Sequence, residues 1–484
     1  MMRFKVLAYL LGTLFLYLGI VMLLPIFWVN PADKAVAFAF IWSAAISISA
    51  GLLLKWRRKP PDNIFIKESF AFVALAWIVS AMLGSLPYLF SGTFGSFTNA
   101  FFESMSGFTT TGATVIEDIE VISKAVLFWR SLTQWLGGMG IIVLFVAMLP
   151  RLGVRNIYLL KAEVPGPGPE RIVPRIAETA KRLWMVYLAI SAAEFIFLLL
   201  SGLSVFDSLT HTFTTMPTGG FSTYNESIAA LNNVRAEAVI IVFMLLAGGN
   251  FTLYYNLWLG KWRTILKDAE FRFYLLVVVI SMIAATIAVL PHYGVFTDAA
   301  RNAAFQVVSI VTTTGYVTSD YDIWPPMARI LIFFLMFLGG SGGSTGGAMK
   351  QIRILILIKY AIRELNKLLH PSAVIPLRVG GKIIPEGMVQ NILGFSLLYA
   401  FIFLISSIVM GAMGMDYVSA LSVSASCLGN VGPALGVLGP LHTYADLPAI
   451  AKIFLSLIML LGRLEIYTIM VFLLPEARST RLSM

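Results

Sequence analysis

This sequence predicts an all-α polytopic membrane protein: an N-terminal two-helix hairpin, then four pseudo-symmetric helix–pore-loop–helix repeats around a central pore, about ten transmembrane helices in all. Three observations carry the prediction. Of 484 residues, 58% are hydrophobic and only 12% charged, with a mean hydropathy of +0.85; a soluble chain carries about a quarter charged residues. Apolar runs of about 20 residues, each long enough to cross a bilayer as a helix, recur along the chain. A unit made of a span, a short apolar segment with a polar turn, and a second span returns four times. The apolar runs are continuous rather than alternating, which excludes a membrane β-barrel.

In chain order, residues 4–28 form the first run, preceded by Arg3 and Lys5. It is too long for a signal peptide and lacks a small-residue cleavage site, so a retained helix is expected. A second span over 35–54 ends in Lys55, Arg57, Arg58 and Lys59, and this hairpin occupies residues 1–60. The four repeats follow as 61–165, 166–266, 267–370 and 371–484. Their first spans lie near 66–90, 179–201, 271–290 and 388–412, and their second near 125–149, 236–259, 327–358 and 447–474. Basic linkers follow the second spans, from Arg151 to Arg182, Lys261 to Arg272 and Lys350 to Lys382, and Pro165-Gly166-Pro167-Gly168-Pro169 breaks the first of them.

Most of the 35 Lys and Arg residues sit in those linkers and around the hairpin. The net charge of +10 is therefore a positive-inside signature rather than a nucleic-acid footprint, and it puts the N-terminus in the cytoplasm. Each repeat starts and ends on the basic side, so its polar turn re-enters the membrane from outside. Non-helical backbone at that depth is tolerable only where protein or water surrounds it. Glu117, Asp118, Glu120, Glu226, Asp320 and Asp322 follow these turns on the outer face. They either draw cations toward a mouth or are ordinary solvated loop charge. A single cysteine, Cys427, and four scattered histidines leave no metal centre or triad. A membrane-embedded enzyme would need a cluster at depth, where only Glu194, Glu465 and Arg463 are expected, so the chain is not read as an enzyme.

The four turns are related. Thr312-Thr313-Thr314-Gly315-Tyr316-Val317 is nearly copied by Thr109-Thr110-Thr111-Gly112-Ala113-Thr114, and more loosely by Pro217-Thr218-Gly219-Gly220-Phe221 and Gly429-Asn430-Val431-Gly432-Pro433. Thirteen residues before Gly112, Gly220, Gly315 and Gly432 stand Asn99, Asp207, Asn302 and Ser419. All four are favoured helix N-caps. Each is followed by small and apolar residues for about 15 Å of helix. The same spacing selects Gly220 over Gly219, because residue 206 is Phe.

A dehydrated cation needs oxygens in place of water, and converging backbone carbonyls supply them. Glycine permits the turn, and the short helices end with negative poles toward it. The candidate ion ligands are Thr110, Thr111, Gly112, Thr218, Gly219, Gly220, Val311, Thr313, Thr314, Gly315, Asn430, Val431 and Gly432. Beneath them, Gly137-Gly138, Gly248-Gly249, Gly339-Gly340-Ser341-Gly342-Gly343-Ser344-Thr345-Gly346-Gly347 and Gly462-Arg463 fall at matched depth on the second spans. The matched depth suggests a breakpoint on each inner helix, but at the first two sites close packing is the favoured reading over a break. Nine consecutive Gly, Ser and Thr residues cannot stay helical, so unwound backbone lining the path is expected there. The GxxxxGK[ST] spacing of a phosphate loop is missing. Arg463 either faces the path or pairs with Glu465, Glu194 or a loop carbonyl. Glu465 is a poor same-helix partner, two residues away.

Over residues 66–474 these units resemble the superfamily of Trk, Ktr and HKT potassium transporters. The hairpin, the length and the Gly339–Gly347 run look most like its bacterial TrkH branch. The resemblance implies K+ as the transported ion, with no organic cofactor in this chain. It implies a gate at Gly339–Gly347 below the filter, with Arg463 projecting toward the pore and opposing flux. It also implies a homodimer among membrane lipid in the bacterial inner membrane, docked to a cytoplasmic TrkA-type nucleotide-binding regulatory subunit. In that superfamily glycine in all four loops goes with potassium and serine in the first with sodium; here all four are glycine. Unlike the TVGYG loop of potassium channels, Gly-Tyr occurs only at Gly315-Tyr316. The alternative is a sodium- or proton-coupled secondary transporter, but such folds often show inverted repeats, whereas these are parallel.

Overall fold

The computed structural model describes residues 3–61, 64, 66–138, 140 and 173–473. The hairpin is α1 (Phe4–Val21) and α2 (Lys34–Lys55). They cross at Gly12 and Gly51, where a methyl on either would sit 2.8 Å from the other's carbonyl oxygen. Small residues let membrane helices approach this closely. Arg3 pairs with buried Glu68 at 2.7 Å, tying the hairpin to the first quarter.

The quarters follow one plan. The first has α3 (Ile66–Gly84, extended by Leu86–Phe90), the short α4 (Phe97–Phe108) and α5 (Lys124–Gly138). The second has α6 (Val173–Leu200), short α7 (Val205–Thr215), then α8 (Val234–Ala247) and α9 (Phe251–Trp258), bent by 97°. The third has α10 (Ala269–Tyr293), short α11 (Phe296–Val311), α12 (Pro326–Leu335) and, after a long irregular stretch, α13 (Gln351–Leu369). The fourth follows the antiparallel pair β1 (Arg378–Val379) and β2 (Lys382–Ile383). It comprises α14 (Glu386–Ala412), short α15 (Tyr417–Gly429), α16 (Ala449–Arg463) and α17 (Tyr467–Leu473).

Among the described residues, six helices are long and apolar enough to cross a membrane: both hairpin helices and the first span of every quarter. The bent pair α8–α9, taken as one broken span, would bring them to seven. On α14, Leu397, Phe401, Leu404 and Ile408 are exposed at helical spacing. An apolar stripe of that length belongs against lipid or another membrane surface. The interior is filled from all quarters, with Trp77, Trp129, Tyr187 and Tyr316 fully buried.

Two expectations are corrected here. The caps lie one turn earlier than Asn99, Asp207 and Ser419: Ser96, Ser204 and Asp416 accept the free backbone N–H groups, including those of the three named residues. In the third quarter the helix starts at Phe296, well before Asn302, with no side-chain cap at Val295. Asn, Asp and Ser serve inside a first turn as well as at its cap, so the register survives while the assignment shifts. The second correction is that Gly248-Gly249 is a break as well as a packing site, lying at the 97° bend. Residues 139 and 141–149 of the first quarter's second span lie outside the described residues, as does the linker to residue 172 with its Pro165–Pro169 run.

Candidate cation site

Each short helix ends in the same motif. The N–H groups of Thr111, Gly219, Thr314 and Val431 each reach the carbonyl five residues back, at 2.8–2.9 Å, and those of Thr110, Thr218, Thr313 and Asn430 the carbonyl three back. This is a Schellman-like closure, which needs a left-handed residue after the helix. Thr110, Thr218, Thr313 and Asn430 supply it, with φ of 55°, 56°, 59° and 54°. Asn tolerates that region, but for β-branched threonine it is strained. Strain repeated at three equivalent loops marks a functional constraint.

Two residues on, Gly112, Gly220, Gly315 and Gly432 have φ of 83°, 73°, 80° and 103°. Their neighbours close a ring. A Cβ on Gly112 would overlap the carbonyl oxygen of Gly219, one on Gly220 that of Thr314, one on Gly315 that of Val431, and one on Gly432 that of Thr111. Each glycine therefore abuts the carbonyl that precedes the glycine of the next quarter. The ring brings together Thr111, Gly112, Gly219, Gly220, Thr314, Gly315, Val431 and Gly432. Val311 is placed apart, ending α11 in the apolar core.

Hydroxyls and amides brace the loops. Thr109 Oγ1 meets Thr111 Oγ1 at 2.8 Å, and Thr312 Oγ1 meets Thr314 Oγ1 at 2.8 Å. Asn430 Nδ2 donates to Thr111 Oγ1 at 3.0 Å, joining the fourth quarter to the first. The Tyr316 hydroxyl bonds Thr214 and donates to the His211 carbonyl at 3.2 Å, joining the third to the second.

The irregular stretch from Met336 to Lys350 folds back under the third loop. The Gly347 N–H donates to Thr313 Oγ1 at 2.7 Å. The Ser341 N–H donates to the Gly248 carbonyl at 2.8 Å, and Thr345 Oγ1 to the Met216 carbonyl at 3.0 Å. Arg463 donates to the Thr345 carbonyl at 2.8 Å and to those of Gly137 and Gly138 at 2.6 and 2.7 Å. Glu465 instead pairs with Arg353. The stretch is thus pinned between the broken inner helices directly beneath the ring. Gly339, Gly340, Gly342, Gly343, Ser344 and Gly346 complete it. Glu270 Oε1 on α10 accepts from the Gly342 N–H at 2.5 Å and from the Ile352 N–H at 3.1 Å, so one carboxylate holds both this stretch and the start of α13.

Sequence reasoning placed too few charges inside. Glu103, Arg130, Glu270 and Lys350 are buried besides Glu194. Arg130 lies near the start of the span expected at 125–149, and nothing local in the sequence reveals its partner, Glu103.

Fold and site together define a multi-pass membrane protein in which four re-entrant loops from one chain meet in a ring of backbone carbonyls above a pinned glycine-rich stretch. The chain belongs to the TrkH family of cation transport proteins, whose model matches residues 36–482. It is 38% identical over 482 residues to the Trk system potassium uptake protein TrkH of Vibrio parahaemolyticus, covering 98% of this chain and 99% of that one. It is 37% identical over 481 residues to the TrkH of Escherichia coli K12, with the same coverage. The crystal structure of the potassium transporter TrkH from Vibrio parahaemolyticus superimposes with a TM-score of 0.88 at 36% identity, over 99% of this chain and 100% of that one.

Proposed function

We propose that this protein takes up potassium ions through a filter formed by the four loops, with the stretch from Gly339 to Gly347 as the gate in series below it. The closed ring carries the reading. Four glycines in matching left-handed geometry, each against a neighbour's carbonyl, bring backbone oxygens together without burying a carboxylate. The relatives named as potassium uptake proteins agree with this ion. Arg463 adds a positive charge at the gate and holds it shut through three carbonyls. The protein works as a homodimer in the bacterial inner membrane, with its N-terminus in the cytoplasm. A cytoplasmic TrkA-type nucleotide-binding subunit acts on the basic linkers and, through α13, on the gate.

The test is uptake of potassium, rubidium and sodium into liposomes holding the purified protein. Potassium and rubidium are expected to enter and sodium to lag. Equal sodium entry would sink the selectivity, and no alkali-cation flux after deletion of the Gly339–Gly347 stretch would sink the pore.

A further inference from the structure

The carbonyl ring has a charged brace behind it that the four-fold pattern does not explain. Glu103 on α4 stands nine residues before Gly112. It is fully buried and accepts from Arg130 Nε at 2.6 Å, Thr114 Oγ1 at 2.9 Å and the Val115 N–H at 2.9 Å. Arg130, on α5 of the same quarter, then crosses to the second. Its Nη1 donates to the Ser222 carbonyl at 2.7 Å, and its guanidinium lies 3.6 Å from the Phe221 ring centroid. One turn further along α5, Gln134 Nε2 donates to the Gly219 carbonyl at 2.6 Å and Oε1 accepts from the Phe221 N–H at 3.1 Å. Two side chains of one helix face thus grip the backbone on both sides of Gly220. The Gly219 oxygen that Gln134 holds is the one facing Gly112.

The same register in the other quarters carries His211, Gln306 and Val423. At or beside this register these quarters fasten the descending chain with neutral groups, while single carboxylates add one bond each further along, Asp207 from Thr223 Oγ1 at 3.3 Å and Asp322 from the Gly436 N–H at 2.9 Å. His211 Nε2 meets Ser222 Oγ at 3.4 Å. Gln306, with its amide oxygen turned to the loop, accepts from the Thr318 N–H at 2.8 Å. Beside Val423, Ser422 Oγ accepts from the Leu435 N–H at 3.0 Å. Burying an ion pair costs several kcal/mol in desolvation, and an apolar pair of equal volume is often as stable. Stability alone therefore does not account for a buried ion pair at this register in one quarter of four. Positioning does, because a guanidinium fork and a planar amide fix directions that apolar packing leaves loose.

We propose that Arg130 and Gln134, seated on Glu103, are specificity-determining positioning residues: they fix where the second loop presents the Gly219 oxygen, and so set the ring's preference among alkali cations. The proposal rests on the ring being the filter, and its test separates the two claims. Full-length wild type and the variants Arg130→Gln, Gln134→Leu, Glu103→Gln and Arg130→Lys are reconstituted in liposomes, and sodium, potassium and rubidium uptake are compared as ratios. In Arg130→Gln and Gln134→Leu the sodium-to-potassium ratio rises about tenfold, equivalent to about 1.4 kcal/mol between the two ions. Glu103→Gln shifts it the same way by less, and Arg130→Lys lies between Arg130→Gln and wild type, keeping the charge without the fork. A purely structural brace would lower yield or total flux and leave the ratio unmoved, which overturns the proposal while the filter stands. A wild type that passes sodium as readily as potassium overturns the filter reading and this one with it. If Arg130→Gln does not accumulate, Gln134→Leu decides alone, since it removes no charge.

Discussion

In the ring, four quarters repeat one geometry: left-handed residues within a few degrees of one another, each followed by a positive-φ glycine. One layer down, the inner helices depart from regularity in four different ways. Just past α5, Gly140 takes a left-handed φ of 67°; α8 and α9 bend by 97°. α12 gives way to the long stretch before Gln351, and α16 stops at Arg463 before Glu465 and Ile466, which have φ of 52° and 57°. The contrast follows from closure. A ring in which each glycine must admit the next carbonyl leaves no quarter free to drift. The layer beneath has no such constraint, so one quarter carries a long insertion and another contributes an arginine.

The sharpest way to break the contrast is at the ring. Gly220→Ala and Gly315→Ala each force a methyl into a neighbouring carbonyl and are expected to abolish rubidium uptake into liposomes. Gly92→Ala, with a similar φ of 73° but nothing within 4 Å, is the control. It meets only the left-handed penalty of about 1–2 kcal/mol and should keep uptake. Next comes the lower layer. Arg463→Gln or Glu270→Gln removes charge-assisted bonds to the gate, worth about 1.5–3 kcal/mol. Either should raise basal flux about tenfold or more, with the ion ratio unchanged because the ring is untouched. Unchanged flux at normal expression would remove that residue from the gate.

The smaller effects lie at the starts of the short helices. Asp416→Ala loses the cap on Val418 and Ser419 and should cost about 1 kcal/mol in thermal unfolding. The bonds from Ser419 hold the Asp416 carboxyl below its usual range. Its folded pKa is the lower one, so its contribution is present above the unfolded pKa and fades as pH falls through the folded value. Wild type and Asp416→Ala should therefore converge in stability in acid. Smallest of all, Val295→Ser supplies the cap that α11 lacks and should stabilise by about 0.5 kcal/mol.

Local and periodic features were legible in the sequence. The first spans were visible because lipid demands unbroken apolar runs. Gly220 was separable from Gly219 because in three of the quarters the short helix starts at the same distance from its glycine, from Phe97 to Gly112, Val205 to Gly220 and Tyr417 to Gly432. The caps slipped by one turn because Asn99, Asp207 and Ser419 belong to the same chemical class as residues that serve at the cap itself. The break at Gly248-Gly249 read as packing because it does both: Gly248 sits against Thr312 and Tyr274 where the helix stops. The clamp of Arg130 and Gln134 was hidden because what they hold, the Ser222 and Gly219 carbonyls, lies far along the chain and is backbone. No side-chain pattern announces them.

The ring also has a direction. Gly112 leans on the second loop, Gly220 on the third, Gly315 on the fourth and Gly432 on the first. Damage at one glycine is therefore inflicted on the following quarter. A genetic screen for suppressors of a Gly220 substitution should recover changes around Thr314 rather than around Thr111. Run four times, such a screen would trace the circle in one sense only.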